Sequence, residues 1–147
     1  MRILAVDPGT KRLGIAISDP TGAIASPLVI LPHASRAADT AAIAELAAAN
    51  EAGLIIVGQS LDDEGHPTLE GRRAARLAAA LRDQTSIPVI LWDESLTTQD
   101  AREARIAMGV SRKRRARHLD DLAAAVLLQS YLDASSQSSI INLKSSI

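Results

Sequence analysis

Short apolar runs separated by polar turns divide the sequence into candidate strands. Runs at 3–6, 13–18 and 23–31 are joined by short turns that contain Pro or Gly, as in an antiparallel meander. Runs at 54–57 and 89–92 are wholly apolar, which is typical of strands that are covered on both faces. The pattern therefore predicts five strands, of which the last two are buried.

Between and after these strands, apolar residues recur at helical spacing. The predicted helices span 39–50, 69–82, 98–108 and 120–133. Gly53 follows the first where a C-terminal cap is expected, and Thr97 or Thr98 caps the third. Because a helix between two strands implies a crossover to a parallel neighbour, we expect a mixed sheet. This α/β order, an antiparallel three-strand meander plus parallel strands in a five-stranded sheet flanked by helices, resembles the ribonuclease H-like fold.

The helical pattern ends at Asp133, and the residues that follow are rich in Ser and unpatterned. We therefore expect one domain over residues 1–134 and a disordered tail over residues 135–147. The sequence shows no signal peptide, no apolar run of membrane-spanning length and no cysteine. These features predict a cytoplasmic protein that does not associate with a membrane.

Composition limits the kinds of function that the chain can have. With one Trp, one Tyr and no Phe, the core must be built from Ile, Leu, Val and Ala, and a base-stacking platform for single strands is disfavoured. The absence of cysteine excludes thiolate catalysis and Cys-based zinc sites. The net charge of −1 carries no general nucleic-acid signature, so only a local cluster of cations could bind such a partner.

Three carboxylates stand at the ends of predicted elements. Asp7 ends the first strand, Glu94 follows the last strand and Asp120 begins the last helix. Groups just beyond neighbouring strand ends converge on one edge of an open sheet, so these three can meet and hold two Mg²⁺ or Mn²⁺ ions. Such ions activate a water and stabilise the leaving oxygen of a phosphodiester. Plainer roles stay open, because Asp120 and Asp121 are good N-cap residues and Asp93 competes with Glu94.

Cations lie close to these carboxylates in the sequence. Lys11 and Arg12 occupy the turn after Asp7, where we expect them to position the scissile phosphate. A basic segment at 111–118 separates the predicted third and last helices, and phosphate contacts from it would bind nucleic acid with little regard to sequence. The predicted nucleic-acid-binding residues are Lys11, Arg12, Thr97, Thr98, Arg112, Lys113, Arg114, Arg115 and Arg117. The three histidines, His33, His66 and His118, show no metal-ligand spacing and are expected at the surface.

Four motifs in order resemble those of the YqgF (RuvX) family. They are DPGTKRLG at 7–14, LIIVG at 54–58, DESLTT at 93–98, and Asp120 followed by AA at 123–124 and LQSYL at 128–132. The resemblance covers residues 1–133 and implies a ribonuclease H-like, metal-dependent nuclease, described both as a Holliday junction resolvase and as the nuclease that matures the 5′ end of pre-16S ribosomal RNA. The acidic positions of the family fall on Asp7, Glu94 and Asp120, and the motif spacing favours Asp120 over Asp121.

The chain departs from the family pattern at two places. Gly58 is followed by Gln59 and Ser60 instead of Leu and Pro, and Ser95 stands where Arg is usual. The second departure removes a partner for a phosphate or a carboxylate close to Glu94. The acidic triad itself is intact.

The sequence favours a divalent-metal-dependent phosphodiesterase that acts on structured RNA, such as precursor ribosomal RNA, as a monomer or weak homodimer. A Holliday junction resolvase acting on branched DNA and a non-catalytic RNA-binding module are the alternatives. The hairpin around Asp7 also resembles the phosphate loop of actin-like and sugar-kinase ATPases, but those enzymes need two such domains and this chain is too short for both.

Overall fold

A computed structural model describes residues 1–94 and the helix at 119–145, with side chains of that helix described at 122–136. The elements are β1 (Arg2–Pro8), β2 (Arg12–Ser18), β3 (Ala25–Pro32), α1 (Arg36–Ala49), β4 (Ala52–Gln59), α2 (Leu69–Gln84), β5 (Val89–Asp93) and α3 (Leu119–Ser145). The predicted helix at 98–108 and the basic segment at 111–118 lie outside this description.

The five strands form one sheet in the order β3-β2-β1-β4-β5. β1 pairs antiparallel with β2 and β2 antiparallel with β3, whereas β4 is parallel to both β1 and β5. The mixed sheet predicted from the element order is thus confirmed. The C-terminal ends of β1, β4 and β5 reach the same edge of the sheet because these three strands are parallel.

Helices cover both faces of the sheet, and the strand residues alternate between them. Leu4 and Val6 of β1 join a cluster with Ile43 of α1 and Leu77 of α2. Ile3 and Ala5 face the other way and belong to a second cluster, which α3 completes. Because each face of β1 is covered, nearly the whole strand is apolar, and the one carboxylate that it carries lies at its end.

Side-chain caps set the starts of two helices. The Ser35 hydroxyl accepts a hydrogen bond from the Ala38 amide at 3.1 Å, so α1 begins at Arg36, earlier than the predicted residue 39. The Thr68 hydroxyl caps α2 in the same way. At the other end of α1, Asn50 is the C-cap and Glu51 takes the left-handed conformation, with φ of 54°. The prediction of Gly53 as the cap is therefore wrong, since this glycine lies inside β4.

Two polar contacts fix α3 on the sheet. The Gln129 side chain accepts a hydrogen bond from the Ala25 amide and donates one to the Ala23 carbonyl, both at 3.0 Å. The indole of Trp92 donates to the Ser130 hydroxyl at 3.1 Å and packs edge to face on Tyr131, with ring centroids 5.1 Å apart. α3 is thereby tied to both the β2–β3 turn and β5.

The end of α3 differs from the prediction. The helix continues past Asp133 to Ser145, so the loss of apolar patterning did not mark its end. The division into a domain over 1–134 and a disordered tail over 135–147 stays a prediction. Among the helices in the described ranges, none has the length and hydropathy to cross a bilayer.

Candidate active site

Two of the three predicted carboxylates meet at the edge of the sheet. Asp7 lies near the end of the central strand β1, and Glu94 directly follows β5, two strands away. The two side chains share a hydrogen bond. Since two carboxylates in contact repel each other, this arrangement requires either a shared proton or a cation between them.

A glycine on the intervening strand makes this contact possible. A Cβ atom at Gly58 would lie 2.8 Å from Glu94 Oε1 and 2.9 Å from Leu127 Cδ2. The Glu94 carboxyl therefore lies over the bare backbone of β4, against the side of α3. Sequence reasoning did not assign this role to Gly58, although its position at the end of the buried run LIIVG was the available signal.

Electrostatics at this edge favours the neutral form of Glu94. The pKa of Glu94 is raised to about 8. The largest cause is burial, and the hydrogen bond with Asp7 and the negative charge of Asp7 are the next largest. Glu70 and Asp93 contribute in the same direction through their negative charge. At neutral pH without a metal, the Glu94 carboxyl thus holds a proton and donates it in the hydrogen bond to Asp7.

The donor set fits a hard divalent cation. Carboxylate oxygens are the ligands that Mg²⁺ and Mn²⁺ prefer, and a cation between Asp7 and Glu94 would replace the proton that they share. Among the side chains that the structure describes, no group of three acidic or histidine residues is close enough together to ligate a metal. A metal held by Asp7 and Glu94 would therefore need a further ligand from elsewhere.

The direction of α3 places its first residues, including Asp120, at the end of the molecule where Asp7 and Glu94 meet. Leu127 of this helix lies beside Gly58, at the edge of the sheet where Asp7 and Glu94 meet, which we call the active edge. Leu132 and Asp133 line a cavity at the opposite edge, together with Met1 and Ile3. Asp120 precedes Leu127 by roughly two helical turns, about 10 Å along the axis. Its backbone is thus at the end of α3 that faces the active edge, while its side chain is outside the described set.

The turn between β1 and β2 carries two cations, Lys11 and Arg12, close to Asp7. The Gly9 amide donates to the Arg12 carbonyl at 2.9 Å, and a Cβ atom at Gly9 would lie 2.4 Å from that oxygen, so only glycine fits there. Beside the turn lies a hollow of about 250 Å³. It is lined by Asp7, Gly9, Thr10, Lys11, Arg12 and Gly14. The structure thus brings Lys11 and Arg12 around the same space as Asp7.

The other predicted nucleic-acid-binding residues belong to the part of the chain between β5 and α3. Thr97, Thr98, Arg112, Lys113, Arg114, Arg115 and Arg117 all lie outside the described residues, as does Ser95. The other departure from the family pattern, Gln59-Ser60, contacts α2. The Gln59 amide group donates to the Gly71 carbonyl at 3.2 Å, and the Ser60 carbonyl accepts from the Thr68 amide at 3.1 Å.

Two features near the site were missed at the sequence level. Glu70, in the first turn of α2, acts on Glu94 through its charge. His33 lies at the surface as expected, and in addition its imidazole is hydrogen-bonded to the buried Asp39 at 2.5 Å. His66 also lies at the surface, with Glu64 at 3.6 Å.

A five-stranded sheet of this order, with two carboxyl groups in contact at its parallel strand ends, defines a protein of the ribonuclease H-like class. Over residues 1–134 the chain matches the family described as RuvX, Holliday junction resolvase. The chain therefore belongs to the RuvX family.

Curated relatives match nearly the whole chain. A protein of Thermoanaerobacter pseudethanolicus is 39% identical over 135 residues, covering 91% of this chain and 97% of its own length. A protein of Geobacillus kaustophilus is 41% identical over 136 residues, covering 91% of this chain and 99% of its own length. Both carry the name "Putative pre-16S rRNA nuclease".

Solved structures support the fold. The RuvC structure of Thermus thermophilus superposes with a TM-score of 0.59 at 17% identity, over 92% of this chain and 97% of that one. The Fowlpox virus resolvase in complex with Holliday junction DNA gives a TM-score of 0.52 at 13% identity, over 95% of this chain and 99% of that one. At such low identities, these structures speak for the ribonuclease H-like fold only.

Proposed function

We propose that this protein is a divalent-metal-dependent nuclease that hydrolyses phosphodiester bonds during maturation of the 5′ end of pre-16S ribosomal RNA in the cytoplasm. The observation that carries the proposal is the hydrogen-bonded pair of Asp7 and Glu94 at the parallel strand ends. The choice of RNA as substrate is supported by the names of the curated relatives.

Asp7, Glu94 and Asp120 would hold Mg²⁺ or Mn²⁺. When bound, the metal supplies Lewis-acid chemistry, lowering the pKa of a water and stabilising negative charge on phosphate oxygens. The protein contributes by holding the carboxylates at a fixed separation, with Gly58 keeping the space over β4 open for Glu94. Binding of a cation also requires the loss of the proton that Glu94 shares with Asp7.

Lys11 and Arg12 would orient the scissile phosphate in the hollow beside Asp7. The tight turn that Gly9 allows fixes the backbone of both residues, so the two cations act at defined positions. Structured RNA would be bound further by Thr97 and Thr98 and by the basic segment at 111–118. We expect the protein to work as a monomer or a weak homodimer.

The alternative substrate is a branched DNA, which the description of the RuvX family favours. A direct test compares labelled precursor 16S RNA with a four-way DNA junction in the presence of Mg²⁺, Mn²⁺ or EDTA. We expect metal-dependent cleavage of the RNA that is lost in Asp7→Asn, whereas Asp83→Asn, an exposed change on α2, cleaves as the wild type does. Faster cleavage of the junction would assign the protein to branched DNA. Binding of RNA without cleavage, unchanged by EDTA and by Asp7→Asn, would leave a non-catalytic RNA-binding module.

A further inference from the structure

A second cavity lies on the other side of the β1–β2 turn, between that turn and the first turns of α1 and α2. It measures about 230 Å³. Its lining is mostly polar or charged and comprises Pro8, Gly9, Thr10, Leu13, His33, Ser35, Arg36, Asp39, Glu70, Arg73 and Leu77. None of the functions discussed so far uses this cavity.

Two arginines line the cavity without an ion-pair contact among the described residues. Arg36 comes from α1 and Arg73 from α2, and neither forms an ion pair or a side-chain hydrogen bond with any residue in the described ranges. Thr10 adds a hydroxyl group. Two guanidinium groups and a hydroxyl around a small space are the donors that recognise a phosphate oxygen.

His33 is held in place for a similar contact. Its Nδ1 atom is hydrogen-bonded to Asp39 Oδ2, which leaves Nε2 as the ring nitrogen that can meet a ligand. The Asp39 side chain is only 5% exposed and also accepts a hydrogen bond from the Ala34 amide at 3.1 Å. Because both of its oxygens accept hydrogen bonds, the Asp39 carboxylate orients the imidazole of His33.

A second carboxylate, Glu70, also lines the cavity. Its negative charge also contributes to the raised pKa of Glu94. The groups in the cavity that can donate a hydrogen bond to an anion are the guanidinium groups of Arg36 and Arg73 and the side chains of Thr10 and His33.

The position of the cavity relates it to the active edge. Gly9 and Thr10 line both this cavity and the hollow that contains Asp7, Lys11 and Arg12. A nucleic-acid strand that crosses the turn would therefore place one phosphate on each side of it. A volume of about 230 Å³ is smaller than the roughly 300–1,000 Å³ of usual small-molecule sites, which suits a backbone phosphate and its sugar and excludes a whole nucleotide with its base.

We propose that the cavity formed by Thr10, His33, Arg36 and Arg73 binds a backbone phosphate of the substrate strand next to the scissile one. This inference rests on the proposed nuclease function for the identity of the strand. It assigns the cavity to positioning of the substrate, since none of its residues needs to touch the reacting atoms.

The test measures binding, separately from cleavage. A short fluorescent single-stranded RNA is titrated with the full chain in EDTA at several salt concentrations, using wild type, the double variant Arg36→Ala/Arg73→Ala, and Arg76→Ala as a control from α2 that does not line the cavity. Each lost phosphate contact on a single strand reduces the magnitude of the slope of log K against log salt by about 0.7. Because both arginines are proposed to bind the same phosphate, we expect the double variant to lose about 0.7. At low salt its affinity should fall at least about tenfold, the factor that one charge-assisted hydrogen bond commonly carries. Arg76→Ala should behave as the wild type in both respects.

A chemical change in the RNA locates the contact. In a series of oligonucleotides that each carry one neutral methylphosphonate linkage, one position should weaken binding to the wild type and leave binding to the double variant unchanged. An equal salt slope in the double variant and in Arg76→Ala would overturn the proposal. The proposal would also be overturned if inorganic phosphate stabilised the wild type against unfolding while the salt slope for RNA binding were the same in the double variant as in the wild type. The cavity would then be a site for free phosphate. Failure of the nuclease proposal is distinguished by the cleavage assay with Asp7→Asn, which does not depend on the arginines.

Discussion

Replacing Glu94 by glutamine should stabilise the metal-free protein at pH 8 while it abolishes cleavage. The glutamine side chain keeps the size of the glutamate and can still donate a hydrogen bond to Asp7, but it never ionises. In the wild type the carboxyl has a pKa of about 8 in the folded state, against 4.5 when free. The folded state therefore holds a proton between these pH values that the unfolded state has lost.

This difference gives the expected effect its sign and its pH range. Below pH 4.5 Glu94 is protonated in both states, and the variant gains nothing. As the pH rises to 8, the wild type loses stability that the variant keeps, because the folded state must either hold a proton that the unfolded state has released or bury a charge beside Asp7. The full shift sets an upper limit of about 5 kcal/mol. Since Glu94 is only partly buried, solvent screens the charge, and we expect about 2 kcal/mol at pH 8.

The assay is urea unfolding in EDTA, followed by the fluorescence of Trp92, the only tryptophan of the chain. Wild type, Glu94→Gln and the exposed control Glu45→Gln are compared at pH 5 and pH 8. With Mn²⁺ at 100 times its dissociation constant for the wild type, the wild type should gain about 2.7 kcal/mol and the variant less, which reduces the advantage in stability that the variant has in EDTA. If Glu94→Gln is no more stable than the wild type at pH 8 in EDTA, the pair of Asp7 and Glu94 is not strained and our account of the site is wrong.

Two further substitutions test how the site is built. Gly58→Ala should displace the Glu94 carboxyl and cost about 1–3 kcal/mol of stability, because the added methyl group meets Oε1 of Glu94 and the side chain of Leu127. The affinity for Mn²⁺, measured by calorimetry, should fall, and an unchanged affinity would argue against this role of the glycine. Gln129→Ala should lower the free energy of unfolding in urea by about 1–3 kcal/mol, since the amide of Ala25 and the carbonyl of Ala23 lose their partner. The exposed change Gln84→Ala should be neutral. A similar loss of stability in both variants would refute the role of Gln129 in holding α3 on the sheet.

Particular elements show how far local patterns reach. The apolar run that leads to Asp7 predicted a strand, and the structure confirms it as β1, which is covered on both faces. The ends of helices were less well predicted. Ser35 rather than Asp39 sets the start of α1, because Asp39 binds His33 and the Ala34 amide, and α3 continues beyond the loss of its apolar pattern.

The sequence by itself determined the order of strands and helices, the mixed character of the sheet and the family, because hydrophobic periodicity and short motifs are local properties of the chain. It also singled out Asp7 and Glu94 as groups at strand ends. Only the tertiary structure decided that these two carboxyls touch, that Gly58 makes room for Glu94, and that Arg36, Arg73 and a fixed His33 enclose a second cavity. Such relations depend on strand register and on burial, which bring together residues far apart in the sequence and remove the water that would otherwise separate their charges.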